Sequence, residues 1–304
     1  MRIAITGATG FIGSNLMMDY LKKGHEVVAI VPDPENIDPN AYKFEKLSVI
    51  KASFEEFCGL VNNQSFSDID ILYYLAWSGY GKSTNDYSEQ IKNIKPLCDA
   101  VLEASKIGCG RFVFASSFSE YMISERQCKT HNDGAFCNVY GSTKHAARII
   151  AQSVAAQNSI QFISVAFANT FGPGDRSKRS TNLFIHKILL EQPIDLTEGI
   201  HLYDWNYIDD TIAGLELAGE LGKTDSVYYI GSNERRPLKD IVSDVRDIIN
   251  PKAKICFGTY KEDFYVDYSS VDVHKLYRET GYLAKTDFKE AILKTVEWVK
   301  SLGW

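Results

Sequence analysis

Gly7-Ala8-Thr9-Gly10-Phe11-Ile12-Gly13 is the stretch that decides the fold. Before it stands Arg2-Ile3-Ala4-Ile5-Thr6, an apolar run of strand length. After it an apolar-periodic pattern runs through Leu21, and Lys22-Lys23-Gly24 closes it with cations and a C-terminal glycine. His25-Glu26-Val27-Val28-Ala29-Ile30-Val31 then reads as a second strand. Strand, glycine-rich turn, helix and strand in this order form a βαβ unit suited to a dinucleotide. In such a unit Gly7 permits the tight turn, Gly10 lets the backbone approach a pyrophosphate, and Gly13 lets the helix lie on the sheet. The helix N-terminus offers free N–H donors and the positive end of its dipole to the phosphates.

Further strands are expected at Leu47 to Ala52, Asp70 to Trp77, Arg111 to Ser117 and Ser159 to Phe167. Helical patterns at Gln90 to Lys106 and Tyr140 to Gln157 alternate with them. This alternation predicts an α/β fold, a doubly wound parallel sheet. Pro32 to Asn40 reads as a loop, and helices are expected from Leu183 to Glu191, Thr211 to Leu221 and Phe288 to Leu302. Ser226 to Ser232 and Lys254 to Phe257 read as strands, and Pro237 to Val242 opens another helix.

Tyr140-Gly141-Ser142-Thr143-Lys144 heads the second of the long helices. Residues four apart share a helix face, so Tyr140 and Lys144 can point into one cleft. An ammonium beside a phenol favours the phenolate, and a tyrosine tuned in this way exchanges protons with an alcohol or carbonyl oxygen near neutrality. An isolated Tyr-x-x-x-Lys is more often a half-exposed tyrosine with a solvated lysine; the glycine turn upstream gives the catalytic reading its weight.

The glycines follow the spacing G-x-x-G-x-x-G. Together with the tyrosine–lysine pair downstream, the chain resembles the extended short-chain dehydrogenase/reductase family, and within it the nucleotide-sugar epimerases, dehydratases and reductases. The resemblance runs over essentially the whole chain. It implies a Rossmann domain over 1–168 with a returning segment near 204–232, and a smaller α/β substrate domain from 169–203 and 233–304. It implies that Gly7, Thr9, Gly10, Phe11, Ile12 and Gly13 hold the dinucleotide, with Leu75, Ala76, Asn93, Tyr140 and Lys144. Asn93 matches a family asparagine that helps to hold the active-site backbone. The family's catalytic serine falls on Ser117, which with Tyr140 and Lys144 forms the expected catalytic set. Trp77, Ser78, Tyr80, Ser117, Asn169, Arg179 and Tyr203 are expected at the substrate.

Departures from the family pattern narrow the chemistry. Val31 stands where NAD-preferring relatives carry Asp, so the expectation leans to NADP over NAD although no arginine stands at the tip to grip a 2′-phosphate; Ser53 falls where relatives often carry an adenine-contacting Asp. Asp33 is open to two roles, at a ribose or in a polar turn. Dehydratases follow the serine with an Asp-Glu pair; here Phe118 and Ser119 occupy those places, with Glu120 one residue beyond, which disfavours a 4,6-dehydratase. Tyr203 replaces the arginine that commonly grips the nucleotide diphosphate. Arg176, Lys178 and Arg179 form a basic loop suited to a diphosphate or simply to water. Asp209-Asp210 is expected to cap the helix from Thr211.

Composition sets the outer bounds. The 304 residues are 45% hydrophobic and 24% charged, an ordinary globular balance. A net charge of −6 without a basic run argues against nucleic acid and anionic membrane as partners. Apolar runs are strand-sized and the first begins at residue 3, leaving no signal peptide to expect. Cys58, Cys98, Cys109, Cys128, Cys137 and Cys256 form no Cys-x-x-Cys pair and no metal-ligand spacing, so reduced thiols, no metal and a cytoplasmic setting are expected.

The resulting expectation is an NAD(P)-dependent 4-ketoreductase of a 4-keto-6-deoxy nucleotide sugar. The same residues serve a 4-epimerase with a retained NAD, which is the alternative; a non-catalytic dinucleotide-binding protein is the third reading. A nucleotide-diphosphate sugar is the expected partner, polysaccharide precursor synthesis the family's usual setting, and a homodimer through the helices at 90–106 and 140–157 the expected assembly. Ala146, Ala147, Ala151, Ala155 and Ala156 would permit close packing there, or belong to an ordinary buried helix.

Overall fold

The computed structural model describes residues 1–304 except 54, 55, 82, 122–138, 261–267, 269, 270 and 304, and the side chain of Ser180. Cys128 and Cys137 therefore lie outside the described residues. Strands β1 (Arg2–Thr6), β2 (Glu26–Val31), β3 (Leu47–Lys51), β4 (Ile71–Tyr74), β5 (Arg111–Ala115) and β6 (Gln161–Phe167) lie in the order 6-5-4-1-2-3. A seventh strand, Val227–Ile230, joins the sheet beside β6, and every pairing is parallel. Most of these strand residues are buried, as expected for a parallel sheet covered on both faces. The order reverses at β1, and ligands bind outside the carboxyl ends at such a switch point.

Helix α1 (Phe11–Lys22) follows β1, and its buried Leu16, Met17, Tyr20 and Leu21 pack into the larger of the two main cores. The opposite face carries α2 (Tyr87–Ile91), α3 (Ile94–Lys106) and α4 (Val139–Gln157). The single helix expected from Gln90 to Lys106 is thus two, because Pro96 has no N–H to donate and sits in the first turn of α3. Ala147, Ala151 and Ala155 of α4 are fully buried in the core that also holds Leu97, Ala100 and Val101 of α3. These three alanines serve packing within the chain rather than between copies.

β4 stops at Tyr74, three residues before the expected Trp77. The backbone N–H groups of Leu75 and Ala76 donate to Thr6 Oγ1 at 3.1 and 3.2 Å, which turns the chain out of the ladder. Beyond β6 come β7 (Asn169–Phe171), α5 (Ser180–Leu189), the two-residue strands β8 (Ile194–Asp195) and β9 (Leu202–Tyr203), β10 (Trp205–Tyr207) and α6 (Ile208–Leu221). Asp209 and Asp210 lie inside the first turn of α6 and do not cap it; Asp210 instead accepts from the N–H groups of Lys285 and Thr286 at 2.9 and 3.1 Å. The returning strand β11 (Val227–Ile230) leads to β12 (Arg236–Pro237), α7 (Leu238–Ile249), β13 (Ile255–Cys256), α8 (Lys275–Thr280) and α9 (Phe288–Ser301). Helices α5, α7 and α9 pack on one another, and Ile185, Val242 and Ile292 share a core with Ile3 and Ile5. Among the described residues no helix is long and apolar enough to cross a membrane.

Candidate active site

The carboxyl ends of the central strands open into a cleft of about 1200 Å³. Its floor is the glycine turn. Gly7 has φ +72°, and a Cβ there would stand 2.9 Å from the Ala76 nitrogen. A Cβ on Gly13 would stand 2.2 Å from the Gly7 carbonyl oxygen, so only glycine lets α1 lie on the turn this closely. Gly10 is the N-cap of α1, no side chain caps that end, and Phe11, Ile12 and Gly13 line the cleft beside Thr9. An uncapped helix end at the bottom of a cleft fits the pyrophosphate of a dinucleotide.

Ser117, Tyr140 and Lys144 come together on one wall of this cleft. Lys144 is 3% exposed, donates from Nζ to the Ala115 carbonyl at 2.7 Å, and lies 3.7 Å from the centre of the Trp77 ring. Burial pushes its pKa well down, while the Glu120 carboxylate acts to raise it. Tyr140 is raised, mainly by burial and then by Tyr80, whereas a Ser117 hydrogen bond and the Arg179 charge pull it down. Lys144 Nζ is 5.9 Å from the centre of the Tyr140 ring and also engages the Ala115 carbonyl and the Trp77 ring, and the Arg179 charge is a further cation that acts on the phenol.

Arg179, at the N-cap of α5, holds its guanidinium 4.1 Å from the centre of the Tyr80 ring, and Tyr80 lies 5.2 Å from the Tyr140 ring. Arg176, Asn169 and Tyr203 line the same cleft. Asn169 Nδ2 donates to Thr181 Oγ1 at 3.1 Å. The last helix also reaches this region, through Trp298 Nε1 donating to the Asp175 carbonyl at 2.8 Å.

Leu75, Trp77 and Tyr80 line the cleft, while Ala76, Ser78 and Asn93 are not among its lining residues. Their role is structural support. Asn93 accepts from the Ser78 N–H at 2.7 Å and donates back to the Ser78 carbonyl at 3.2 Å. Gln90 accepts from Trp77 Nε1 at 2.9 Å and donates to the Gly79 and Ser83 carbonyls at 3.0 and 2.9 Å. Ser78 is exposed and outside the cleft lining, and Asn93 bonds to the backbone of this loop. Gln90 and Thr6 escape sequence reading because nothing local marks a buried amide or hydroxyl as a clasp for a distant loop.

Asp33 accepts from the Glu35 N–H at 3.2 Å and from Asn36 Nδ2 at 3.0 Å, so it is the polar turn residue. Glu35 and Asp38, from the same segment, line the cleft. Glu120 is buried, is not among the lining residues, and bonds to Ser116 and Arg148. Phe118 lines the cleft, and the Ser119 N–H donates to Ser117 Oγ at 3.2 Å. No group of three or more potential metal ligands occurs among the described residues.

The family model for the NAD dependent epimerase/dehydratase family matches residues 3–231. The chain is 27% identical, over 99% of both chains, to a Bacillus subtilis (strain 168) protein described as an uncharacterized UDP-glucose epimerase. Among solved structures it superposes on MoeE5, in complex with UDP-glucose and NAD, with a TM-score of 0.78, 22% identity and 99% coverage of both chains. It also superposes on the Bacillus cereus UDP-glucuronic acid 4-epimerase, in complex with UDP-glucuronic acid and NAD, with a TM-score of 0.76, 22% identity, and 99% and 100% coverage. The glycine turn, the seven-stranded parallel sheet and the family match agree: this chain belongs to the NAD-dependent epimerase/dehydratase family, within the extended short-chain dehydrogenases/reductases.

Proposed function

We propose that the chain is a nucleotide-sugar 4-epimerase acting through Ser117, Tyr140 and Lys144 with a retained NAD. The convergence of those three side chains on a cleft floored by the glycine turn supports hydride chemistry at C4, which a ketoreductase shares, and the carboxylates of Glu35 and Asp38 on the cleft are what favour the epimerase with NAD. Residues 1–168 with 204–232 hold the dinucleotide, and 169–203 with 233–304 receive the nucleotide sugar. NAD supplies the acceptor, and then the donor, of a hydride at C4. Tyr140 as phenolate takes the proton of the C4 hydroxyl as the hydride leaves, and returns it to the same oxygen after the ketone has turned its other face. Ser117 Oγ accepts from the Ser119 N–H and hydrogen-bonds to Tyr140; with the sugar in place its hydroxyl donates to the C4 oxygen and steadies the developing charge. Lys144 binds the nicotinamide ribose, and Arg179 with Arg176 grips the diphosphate in place of an arginine at position 203.

The lip of the cleft supports NAD over the NADP to which Val31 points. Glu35 and Asp38 line it, and residues 32–39 contain no cation, so a 2′-phosphate would meet carboxylates there. With that, the main ground for preferring a reductase weakens, and the epimerase becomes the first reading. A 4-ketoreductase of a 4-keto-6-deoxy nucleotide sugar is the second, favoured by Tyr203, which departs from the epimerase pattern. A 4,6-dehydratase is disfavoured because Phe118 and Ser119 carry no proton-transfer group and Glu120 is bonded elsewhere. We further infer a homodimer through the exposed apolar side chains Leu102 of α3 and Ile149 and Ile150 of α4, open to a sedimentation test.

The test of function is a panel of UDP- and dTDP-linked 4-hydroxy hexoses without added nicotinamide. Interconversion of C4 epimers supports the epimerase. Stoichiometric oxidation of NADH or NADPH by 4-keto-6-deoxy nucleotide sugars supports the reductase instead.

A further inference from the structure

Among the described residues, one buried charged cluster beside the cleft plays no part in the chemistry set out above. Glu120, whose side chain is 5% exposed, accepts from Ser116 Oγ and from Arg148 Nε. His145 Nδ1 stands 3.6 Å from the same carboxylate, too far for a hydrogen bond, and is buried without a hydrogen-bond partner among the described residues. Ser116 ends β5 and precedes Ser117, and its N–H donates to the Val165 carbonyl at 2.7 Å. Lys144 and Arg148 lie one turn apart on α4, so one helix face meets both the Ala115 carbonyl and the Glu120 carboxylate.

We propose that Glu120 is a positioning residue for the active site, locking the strand end that carries Ser117 onto the face of α4 that carries Lys144 and favouring, by its charge, the protonated form of Lys144. The proposal rests on the assignment of Ser117 and Lys144 to the chemistry. A carboxylate this deeply buried is costly unless paired and hydrogen-bonded, and Arg148 and Ser116 meet that requirement. Its charge has a second use. Burial drives Lys144 towards the neutral amine, and Glu120 is the group that opposes this. Among the described residues, the other titratable or charged groups around Lys144 are Tyr140, His145 and Arg148 on its own helix, and Tyr80 and Arg179 across the cleft. None of them is negative in its ordinary state at neutral pH. The sequence places Glu120 one residue past the dehydratase pair, and the structure gives it a different task.

The experiment needs no substrate, so its failure is distinguishable from failure of the functional reading. The full-length protein is labelled with a trace of acetic anhydride across a pH series, and acetylation of Lys144 is followed by peptide mass spectrometry. Only the neutral amine reacts. Glu120→Gln is expected to label several-fold faster than wild type at pH 7, with its half-labelling pH moved down. Arg148→Gln leaves the carboxylate uncompensated and is expected to move the half-labelling pH up. Circular dichroism checks that each variant is folded, and either folded variant decides the question by itself. An unmoved half-labelling pH, or a movement of opposite sign, overturns the proposal, because a purely structural role for the cluster would change stability and not the charge of Lys144.

Discussion

The Arg179 guanidinium lies 4.1 Å from the centre of the Tyr80 ring, and that ring lies 5.2 Å from Tyr140. A cation from the segment that follows β7 thus reaches the phenol at the head of α4 across one aromatic side chain. Stacking of this kind contributes about 0.5–2 kcal/mol and orients the guanidinium. It also gives Arg179 two tasks, holding the anionic substrate and easing proton loss from Tyr140.

Replacing Arg179 by Gln tests both. Loss of a charge-assisted contact of about 1.5–3 kcal/mol predicts KM for the nucleotide sugar higher by roughly tenfold to a hundredfold. Because Arg179 lowers the Tyr140 pKa, its removal raises it. Activity that needs the phenolate grows as pH rises through that pKa, so the acid limb of kcat/KM moves to higher pH. A pH–rate series on wild type and variant checks the direction.

Gly13→Ala places a methyl 2.2 Å from the Gly7 carbonyl oxygen, a backbone atom that cannot step aside without moving the turn. The expected outcome is a folded protein of lower Tm whose dinucleotide affinity falls by more than tenfold. Quenching of intrinsic fluorescence on titration with NADH measures it.

The acidic lip makes a prediction about the cofactor. Wild type is expected to bind NADH in preference to NADPH, and Glu35→Ala with Asp38→Ala to narrow that preference by about tenfold through lost repulsion. Fluorescence titrations with the two reduced nucleotides read the ratio directly, without turnover.

Lys144 predicts a pH effect on stability. Its folded pKa is pushed below the ordinary value of 10.5, so between the two values the unfolded chain binds more protons than the folded one. Lys144 therefore penalises the folded state least at high pH, and stability gained from it rises with pH across that window. The Tm of wild type relative to Lys144→Met should climb as pH rises towards the ordinary lysine value of 10.5, measured by calorimetry in matched buffers. Parallel curves would contradict the burial of a charge-bearing lysine.

Much of the fold was legible because its signals are local. The strand–turn–helix around Gly7, the alternation of apolar runs and the Tyr140–Lys144 spacing each lie within a few residues, and the structure realises all three. What stayed hidden depends on contacts between distant parts of the chain. Thr6 turning out β4, Gln90 and Asn93 holding the loop of Trp77 and Tyr80, and Trp298 reaching Asp175 span from 13 to 123 positions. The motif places Lys144 on the face of Tyr140, but its further contacts with the Ala115 carbonyl and the Trp77 ring come from other elements and carry no local signal. Sequence spacing fixes which residues share a face; burial decides which of them carries charge.

The measurement that bears most directly on the central claim begins with the purified protein and no added nicotinamide. It is incubated with UDP-glucose and other 4-hydroxy nucleotide sugars, and then denatured to release any bound dinucleotide. The account predicts C4-epimerised product, about one NAD released per chain, and loss of both interconversion and proton exchange in Tyr140→Phe by a factor of about 10²–10⁴. Unchanged turnover in Tyr140→Phe, or a reaction that proceeds only with stoichiometric NADPH, would contradict it.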